Sequence, residues 1–107
     1  MNDCPVKYAL DLLSGKWKLR ILWELSQQET IRFNELQRRL PGISSLMLSK
    51  SLESLETHKI ITRRQYNEIP PRVEYSLTPL GTSLTPALTA LGAWGAQAYK
   101  INHPPQE

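Results

Sequence analysis

The spacing of apolar residues changes twice along this chain, and these changes constrain its fold more than any other feature. Up to about residue 57 the leucines and isoleucines recur every three or four positions, which is typical of amphipathic helices. From Ile60 they alternate with polar residues, as in half-buried strands, around a proline-rich turn at 67–72. At Thr78-Pro79 the helical spacing returns, with threonine as a helix cap and proline in the first turn. The sequence therefore predicts several helices, one β-hairpin at 60–77 and a last helix.

Four helices are predicted ahead of the hairpin. The first spans about 4–14 and ends at Ser14-Gly15, and a very short strand is predicted at 30–32. The third helix ends at Pro41-Gly42, because the residue before a proline avoids helical geometry and glycine favours a tight turn. The residues predicted to be buried on helices two to four are Trp17, Ile21, Leu22, Leu25, Phe33, Leu36, Leu40, Leu48, Leu52 and Leu55.

Three helices, a tight turn, a fourth helix, a β-hairpin and a last helix follow one another in the order of a winged helix-turn-helix. A chain of 107 residues suits a single domain, so we expect one mainly α domain with a small β-hairpin over residues 1–107. The helix-turn-helix would occupy 33–57, with Ser44 or Ser45 capping its second helix. The hairpin at 60–77 would form the wing.

Positive charge is concentrated in the middle of the chain. The net charge is +3, yet the stretch from Arg38 to Arg72 holds seven basic and three acidic residues and so carries +4 by itself. A local basic excess of this kind indicates a polyanion such as DNA as the partner. The alternative is a solvated surface of mixed charges.

Several other functional classes lack their sequence features. We expect no enzyme, because the chain has no glycine-rich phosphate loop, nucleophile elbow or paired acid-base motif. The cysteine and two histidines, at 4, 58 and 103, lack metal-ligand spacing, so we expect neither metal nor cofactor. No apolar run approaches the ~18 residues of a membrane span, and the start of the chain lacks the features of a signal peptide. A cytoplasmic protein without membrane contact is expected.

The second helix of a helix-turn-helix lies in the major groove of double-stranded DNA, and here it is the helix at 44–57. With its leucines facing the core, Leu46, Lys50 and Glu53 point outward. Lys50 is suited to guanine or phosphate and Leu46 to a thymine methyl group. Ser45 and Ser49 flank these residues, and the alternative for them is helix capping or surface filling. The alternative for Lys50 is a purely solvated role.

Arginines on the wing and at the end of the third helix extend this surface. Arg72, predicted at the wing tip, is the leading candidate for a narrow minor groove or a flanking phosphate. Of the adjacent Arg38 and Arg39, only one is expected to reach the backbone. The full set of predicted DNA-binding residues is Arg38, Arg39, Ser44, Ser45, Leu46, Ser49, Lys50, Arg63, Arg64 and Arg72.

The last helix, at about 79–100, carries two neighbouring apolar stripes, whereas one is enough to cover its own domain. This indicates a second copy as partner, and a two-fold dimer would present two recognition helices one DNA turn apart. The alternative is that all of these residues pack into one core. The predicted dimerisation residues, on helices 4–14 and 79–100, are Tyr8, Leu12, Leu84, Leu88, Leu91 and Trp94.

A series of short motifs in a fixed order resembles the HxlR family of bacterial regulators. The resemblance implies a homodimeric transcription regulator that binds an inverted-repeat operator, and it leaves repression and activation open. The motifs are Cys4-Pro5-Val6, Gly15-Lys16-Trp17, Ile21-Leu22, Arg32-Phe33-Asn34-Glu35-Leu36, Pro41-Gly42-Ile43-Ser44, Leu52 to Glu56, Arg63, Pro70-Pro71-Arg72-Val73-Glu74-Tyr75, Leu77-Thr78-Pro79-Leu80-Gly81 and Trp94-Gly95.

Three positions depart from the pattern of similar proteins. Positions 46 and 53 are often basic in relatives but are Leu46 and Glu53 here, which predicts a different base preference and weaker non-specific binding. Lys59 stands where many relatives have glycine, which affects the end of the fourth helix if that position needs a left-handed backbone.

Cys4 precedes Pro5 and is therefore predicted at the N-terminus of the first helix, near Lys7. Both features favour the reactive thiolate, and Asp3 opposes them. Some proteins of the family that this chain resembles use such a cysteine to sense oxidants or quinones. Sulfenic acid, a mixed disulfide, alkylation and a bridge between two subunits remain open, as does a partly buried packing role. The sequence leaves the small-molecule effector and the inducing signal open.

A winged helix that binds another protein is the rival function. Such a module does not require arginines on its wing, whereas this hairpin carries Arg63, Arg64 and Arg72.

Overall fold

The computed structural model describes residues 4–106 and confirms a mainly helical winged helix-turn-helix with a small sheet. The two longest helices are the recognition helix and the last helix of the chain. In chain order the elements are α1 (Pro5–Leu13), α2 (Lys18–Leu25), β1 (Ile31–Arg32), α3 (Phe33–Arg38), α4 (Ser45–Thr57), β2 (Ile61–Tyr66), β3 (Arg72–Leu77), α5 (Pro79–Ser83) and α6 (Thr85–Asn102).

The predicted hairpin and the predicted short strand form one antiparallel sheet. The strand order is β1-β3-β2, so the wing hairpin is joined at its β3 edge by the two residues of β1. Tyr75 of β3 lies opposite Ile31 on one side and Arg63 on the other. Because successive strand residues face opposite sides, Ile31, Ile61 and Tyr75 turn towards the helices and are buried.

The core lies between α2, α3, α4 and the inner face of the sheet. Ile21, Leu36, Leu48 and Leu55 have no exposed surface, so the leucine pattern read from the sequence is confirmed. Phe33 is only partly buried and packs at the edge of this core. Burying these side chains fixes the position of α4, since its inner side has no other apolar surface to cover.

Local backbone features set the two ends of α4. Ser44 is the N-cap, because its hydroxyl accepts a hydrogen bond from the Met47 N–H at 3.0 Å. The preceding turn uses Gly42 at φ 96°. At the other end Lys59 adopts φ 63°, so this position does take the left-handed conformation in which glycine is favoured.

The end of the chain differs from the single helix predicted at about 79–100. Two helices form, α5 and α6, and Leu84 joins them. Pro86 lies in the first turn of α6, where its missing N–H breaks no helical hydrogen bond, so the chain restarts a helix there instead of bending one. The last helix also extends to Asn102, beyond the predicted end. Within residues 4–106, no helix is both long enough and apolar enough to cross a membrane.

Candidate nucleic-acid interface

The outer side of α4 is the centre of the candidate interface. Three side chains are exposed there, as predicted from the buried leucines of this helix: Leu46, which is 65% exposed, Lys50 and Glu53. Ser49 is exposed beside them. Met47 is also exposed on this helix, and the sequence analysis did not include it. A protruding helix with mixed apolar and polar side chains has the shape and chemistry to read base edges in a major groove.

The two serines at the start of α4 have partners within the fold. The Ser44 oxygen is used in capping, and the Ser45 hydroxyl accepts a hydrogen bond from Gln37 Nε2 at 3.1 Å. The bond between Gln37 and Ser45 joins α3 to the start of α4. Ser44 is therefore a helix cap whose hydroxyl hydrogen is not used in capping, and Ser45 stays exposed beside Gln37. DNA contact by either serine stays a prediction.

The structure separates the adjacent Arg38 and Arg39. Arg39 is half-buried and makes ion pairs with Glu35 at 3.0 Å and Glu24 at 3.6 Å, so its prediction as a DNA ligand is corrected. Arg38 is exposed, because neighbouring residues on a helix point about 100° apart. Arg38 is thus the one available to a backbone phosphate.

Arg63 and Arg64 lie on opposite faces of the wing. Arg63 faces α4 and lines a cleft of about 490 Å³ together with Ser49, Glu53 and Glu56. Arg64 lies on the other face, with its guanidinium 5.0 Å from the centre of the Tyr66 ring. Only Arg63 therefore borders the space between the wing and the recognition helix.

Arg72 is placed differently from its prediction at the wing tip. It begins β3 opposite Tyr66, and the tip is formed by residues 67–71. Its guanidinium lies 4.0 Å from the Tyr66 ring centre and makes ion pairs with Glu68 at 3.4 Å and Glu74 at 3.6 Å. Its Nε is buried and has no hydrogen-bond partner among the described residues. The guanidinium is therefore held by the wing itself.

Arg72 also borders a second cleft, of about 640 Å³, between the wing tip and the start of α3. Arg32, Asn34 and Arg38 line the α3 side of this cleft. Sequence analysis missed Arg32 and Asn34 as interface residues, although both belong to the motif that carries the family resemblance. Their basic and amide groups are suited to backbone phosphates.

The predicted dimerisation residues divide into two groups. Leu88 is buried in the core of its own domain, and Leu12 and Leu84 pack against that core, which corrects their assignment to the dimer surface. Tyr8 and Trp94 are exposed at 53% and 66%. Leu91 is also exposed, as are four residues that the sequence analysis did not include: Val6, Leu10, Tyr99 and Ile101.

Cys4 is exposed and is the N-cap residue of α1, so it has no buried packing role among residues 4–106. The backbone N–H groups of Lys7 and Val6 in the first turn of α1 lower the pKa of the Cys4 thiol below its ordinary value. The Lys7 ammonium pairs with Asp11 at 3.1 Å, so Lys7 acts through its backbone and not through its charge as predicted. Asp3, predicted to oppose the thiolate, lies outside the described residues.

A capped recognition helix with an exposed outer side, beside a β-hairpin wing, defines the class of this protein. It is a winged helix-turn-helix transcription regulator of the DNA-binding type. A family model described as HxlR-like helix-turn-helix matches residues 12–103. The chain therefore belongs to the HxlR-like family, as its motifs predicted.

Related proteins agree with this assignment. YdzF of Bacillus subtilis, an HTH-type transcriptional regulator, is 44% identical over 94 residues, which cover 88% of this chain and 86% of YdzF. A transcriptional regulator of the MarR family from Porphyromonas gingivalis W83 has a TM-score of 0.85 and 41% identity, covering 90% of this chain and 93% of that chain. The reduced form of the redox regulator HypR has a TM-score of 0.87 and 35% identity, covering 95% of this chain and 100% of that chain.

Proposed function

We propose that the protein acts as a homodimer on an inverted-repeat operator, reads it with α4 and responds to thiol-reactive compounds through Cys4. The observation that carries the DNA-reading part is Leu46, a large apolar side chain left 65% exposed in the first turn of a helix whose other side is fully packed. Packing on a thymine methyl group accounts for such a residue, because it gives the exposed apolar surface a partner.

Charge on both sides of the wing supports DNA over a protein partner. Arg63 faces the cleft beside α4, and Arg32 and Arg38 line the cleft at the start of α3. DNA phosphates running past α4 towards the wing would meet both groups. A selection of bound sequences from a random pool is the direct test, with a two-fold symmetric consensus as the expected result. A protein without sequence preference or salt-dependent binding would favour the protein-contact function.

The exposed apolar residues of α1 and α6 support the dimer. Tyr8, Leu91, Trp94 and Tyr99 lie outside the core of a domain that is otherwise well packed. Leaving this much apolar surface in water is unfavourable, and a second copy supplies a matching surface by two-fold symmetry.

Replacing Trp94 with glutamate is expected to give a monomer, because it places a charge in the proposed dimer interface of α1 and α6. Operator affinity should fall by about 100-fold or more, since the two half-sites are then bound independently. Sedimentation and a mobility-shift titration measure the two effects. Gln28→Glu adds the same charge in an exposed loop and serves as the control. A Trp94→Glu protein that stays dimeric would contradict the proposed dimer interface.

Two observations support the sensing function of Cys4. The thiol is exposed, and the N-terminus of α1 lowers its pKa, so more thiolate is present at neutral pH than in a free cysteine. The redox regulator HypR, known in oxidised and reduced forms, shares this fold at 39% and 35% identity. With a single cysteine in the chain, a disulfide of Cys4 needs a second subunit or a small thiol.

Diamide or a quinone is expected to release the operator from the wild-type protein and not from Cys4→Ser. The rate of alkylation by iodoacetamide should rise with pH and reach half its maximum below the value for free cysteine, because only the thiolate reacts. Mobility shift and mass spectrometry follow the two reactions. Equal release in both proteins would remove Cys4 as the switch, and a midpoint at the free-cysteine value would remove its activation by α1.

A further inference from the structure

The two flanks of α4 differ in charge. The flank towards the wing carries Glu53 and Glu56 beside Arg63. The opposite flank faces the connection between α1 and α2 across a cleft of about 240 Å³ that we call the lysine cleft. Three lysines line it, Lys16, Lys18 and Lys50, and none of its lining residues is acidic. An uncompensated group of cations around a small concave site favours an anion.

Ser51 in α4 supplies a polar group that the fold does not use. The residue is only 7% exposed and lines the lysine cleft, yet no hydrogen bond to its hydroxyl is found within residues 4–106. The Ser51 oxygen is not among the fully enclosed atoms that lack a partner, so it is reached from the cleft, where solvent or a ligand must supply its hydrogen bond. A ligand in the cleft would provide this partner.

The other groups of the cleft are fixed in place. Lys18 Nζ donates to Ser54 Oγ at 2.9 Å and to the Leu12 carbonyl oxygen at 3.3 Å, which uses two of the three donors of an ammonium group. Lys16 lies over the Trp17 ring at 4.9 Å. Helix α2 begins beside them at Lys18 without a side-chain cap, so its first N–H groups add positive potential.

We propose that the lysine cleft binds a phosphate group of the DNA backbone. A helix in the major groove has one phosphate backbone on each flank, and the wing borders only one flank of α4. The lysine cleft lies where the second backbone passes. This inference rests on the proposed DNA-binding function and assigns Lys16 and Ser51 to it, while Lys50 becomes a phosphate ligand at the edge of the helix.

Lys16→Gln and Ser51→Ala test the site on a random-sequence duplex, since a phosphate contact acts on every sequence. Lys16→Gln should weaken binding about fivefold and reduce the slope of log K against log salt by about 1 for each bound subunit. Ser51→Ala should weaken binding about fivefold with the slope unchanged, because no charge is lost. Its thermal stability should stay equal or rise, since alanine favours the helix and no hydrogen bond is broken.

Lys100→Gln, at the end of α6, is the control for the loss of a lysine charge. If wild type and both variants bind the duplex equally at every salt concentration, the phosphate site is wrong while the DNA-binding function stands. If the wild type binds no duplex, the proposed function itself fails.

Free phosphate carries the same chemical group as the DNA backbone. Adding inorganic phosphate at constant ionic strength therefore tests whether the lysine cleft binds the free ion. If it raises the melting temperature of the wild type only, and DNA binding is equal in all proteins, then the cleft takes free phosphate and the DNA contact is overturned.

Discussion

Gly81→Ala is expected to lower the free energy of unfolding by about 3 kcal/mol, which reflects a steric clash in a packed site. Gly81 is buried in α5, where an added methyl group would collide with the Ile60 carbonyl oxygen and lie 3.3 Å from Leu77 Cβ. The same carbonyl accepts hydrogen bonds from the Thr78 N–H at 3.1 Å and the Thr78 hydroxyl at 3.0 Å. Moving α5 away to make room would therefore break the attachment of α5 to the end of α4 and the wing.

Thermal unfolding measures this effect, and a domain of this size loses about 4–8 °C for each kcal/mol. Gly92→Ala is the matched control, because the new methyl group in α6 would have no other atom within 4 Å. This control should gain up to about 1 kcal/mol from helix propensity. Equal melting temperatures for the two variants would show that α5 does not sit against Ile60 as described.

Arg72→Ala is expected to weaken operator binding about tenfold or more at moderate salt. Two effects combine in this loss. The wing loses the side chain that joins Tyr66, Glu68 and Glu74, and the cleft at the start of α3 loses one of its arginines. Glu74, with a side chain only 14% exposed, would keep its charge without the closest counter-ion.

Glu68→Gln distinguishes a direct contact between Arg72 and DNA from a purely structural role of Arg72 in the wing. The substitution removes the carboxylate 3.4 Å from the Arg72 guanidinium and one negative charge from the proposed interface. If Arg72 binds phosphate, Glu68→Gln should strengthen binding, because the guanidinium is released from a competing anion. An unchanged operator affinity in Arg72→Ala would contradict the assignment of the wing arginine Arg72 to DNA binding. Weaker binding in both variants would assign Arg72 to wing structure alone.

Much of the fold follows from the spacing of apolar residues. The leucines of α4 recur on one side of the helix, and the strands of the wing alternate, so the elements and their buried sides were predicted correctly. The break between α5 and α6 was missed. Proline is compatible with both a bend and a new first turn, and the packing of Gly81 against Ile60 fixes the position of α5.

The candidate site was predicted less completely. Helical geometry placed Leu46, Lys50 and Glu53 outward, because only the direction of one helix was needed. The arginines required knowledge of their neighbours. Arg39 pairs with Glu35 four residues earlier, a spacing that is visible in the sequence, but also with Glu24 of α2. The contacts of Arg39 with Glu24 and of Arg72 with Tyr66 join separate elements, so no spacing identifies them in the sequence.

The sequence alone thus determined the winged helix-turn-helix, the recognition helix and the N-terminal position of Cys4. These features depend on local backbone preferences and on the period of apolar residues, which are properties of short segments. The tertiary structure decided which basic residues are free of ion pairs within the described residues, which leucines stay exposed, and which groups meet in the lysine cleft. Burial, clefts and the Arg39–Glu24 ion pair join residues of different elements, so they exist only once the core has set the helices and the sheet in place.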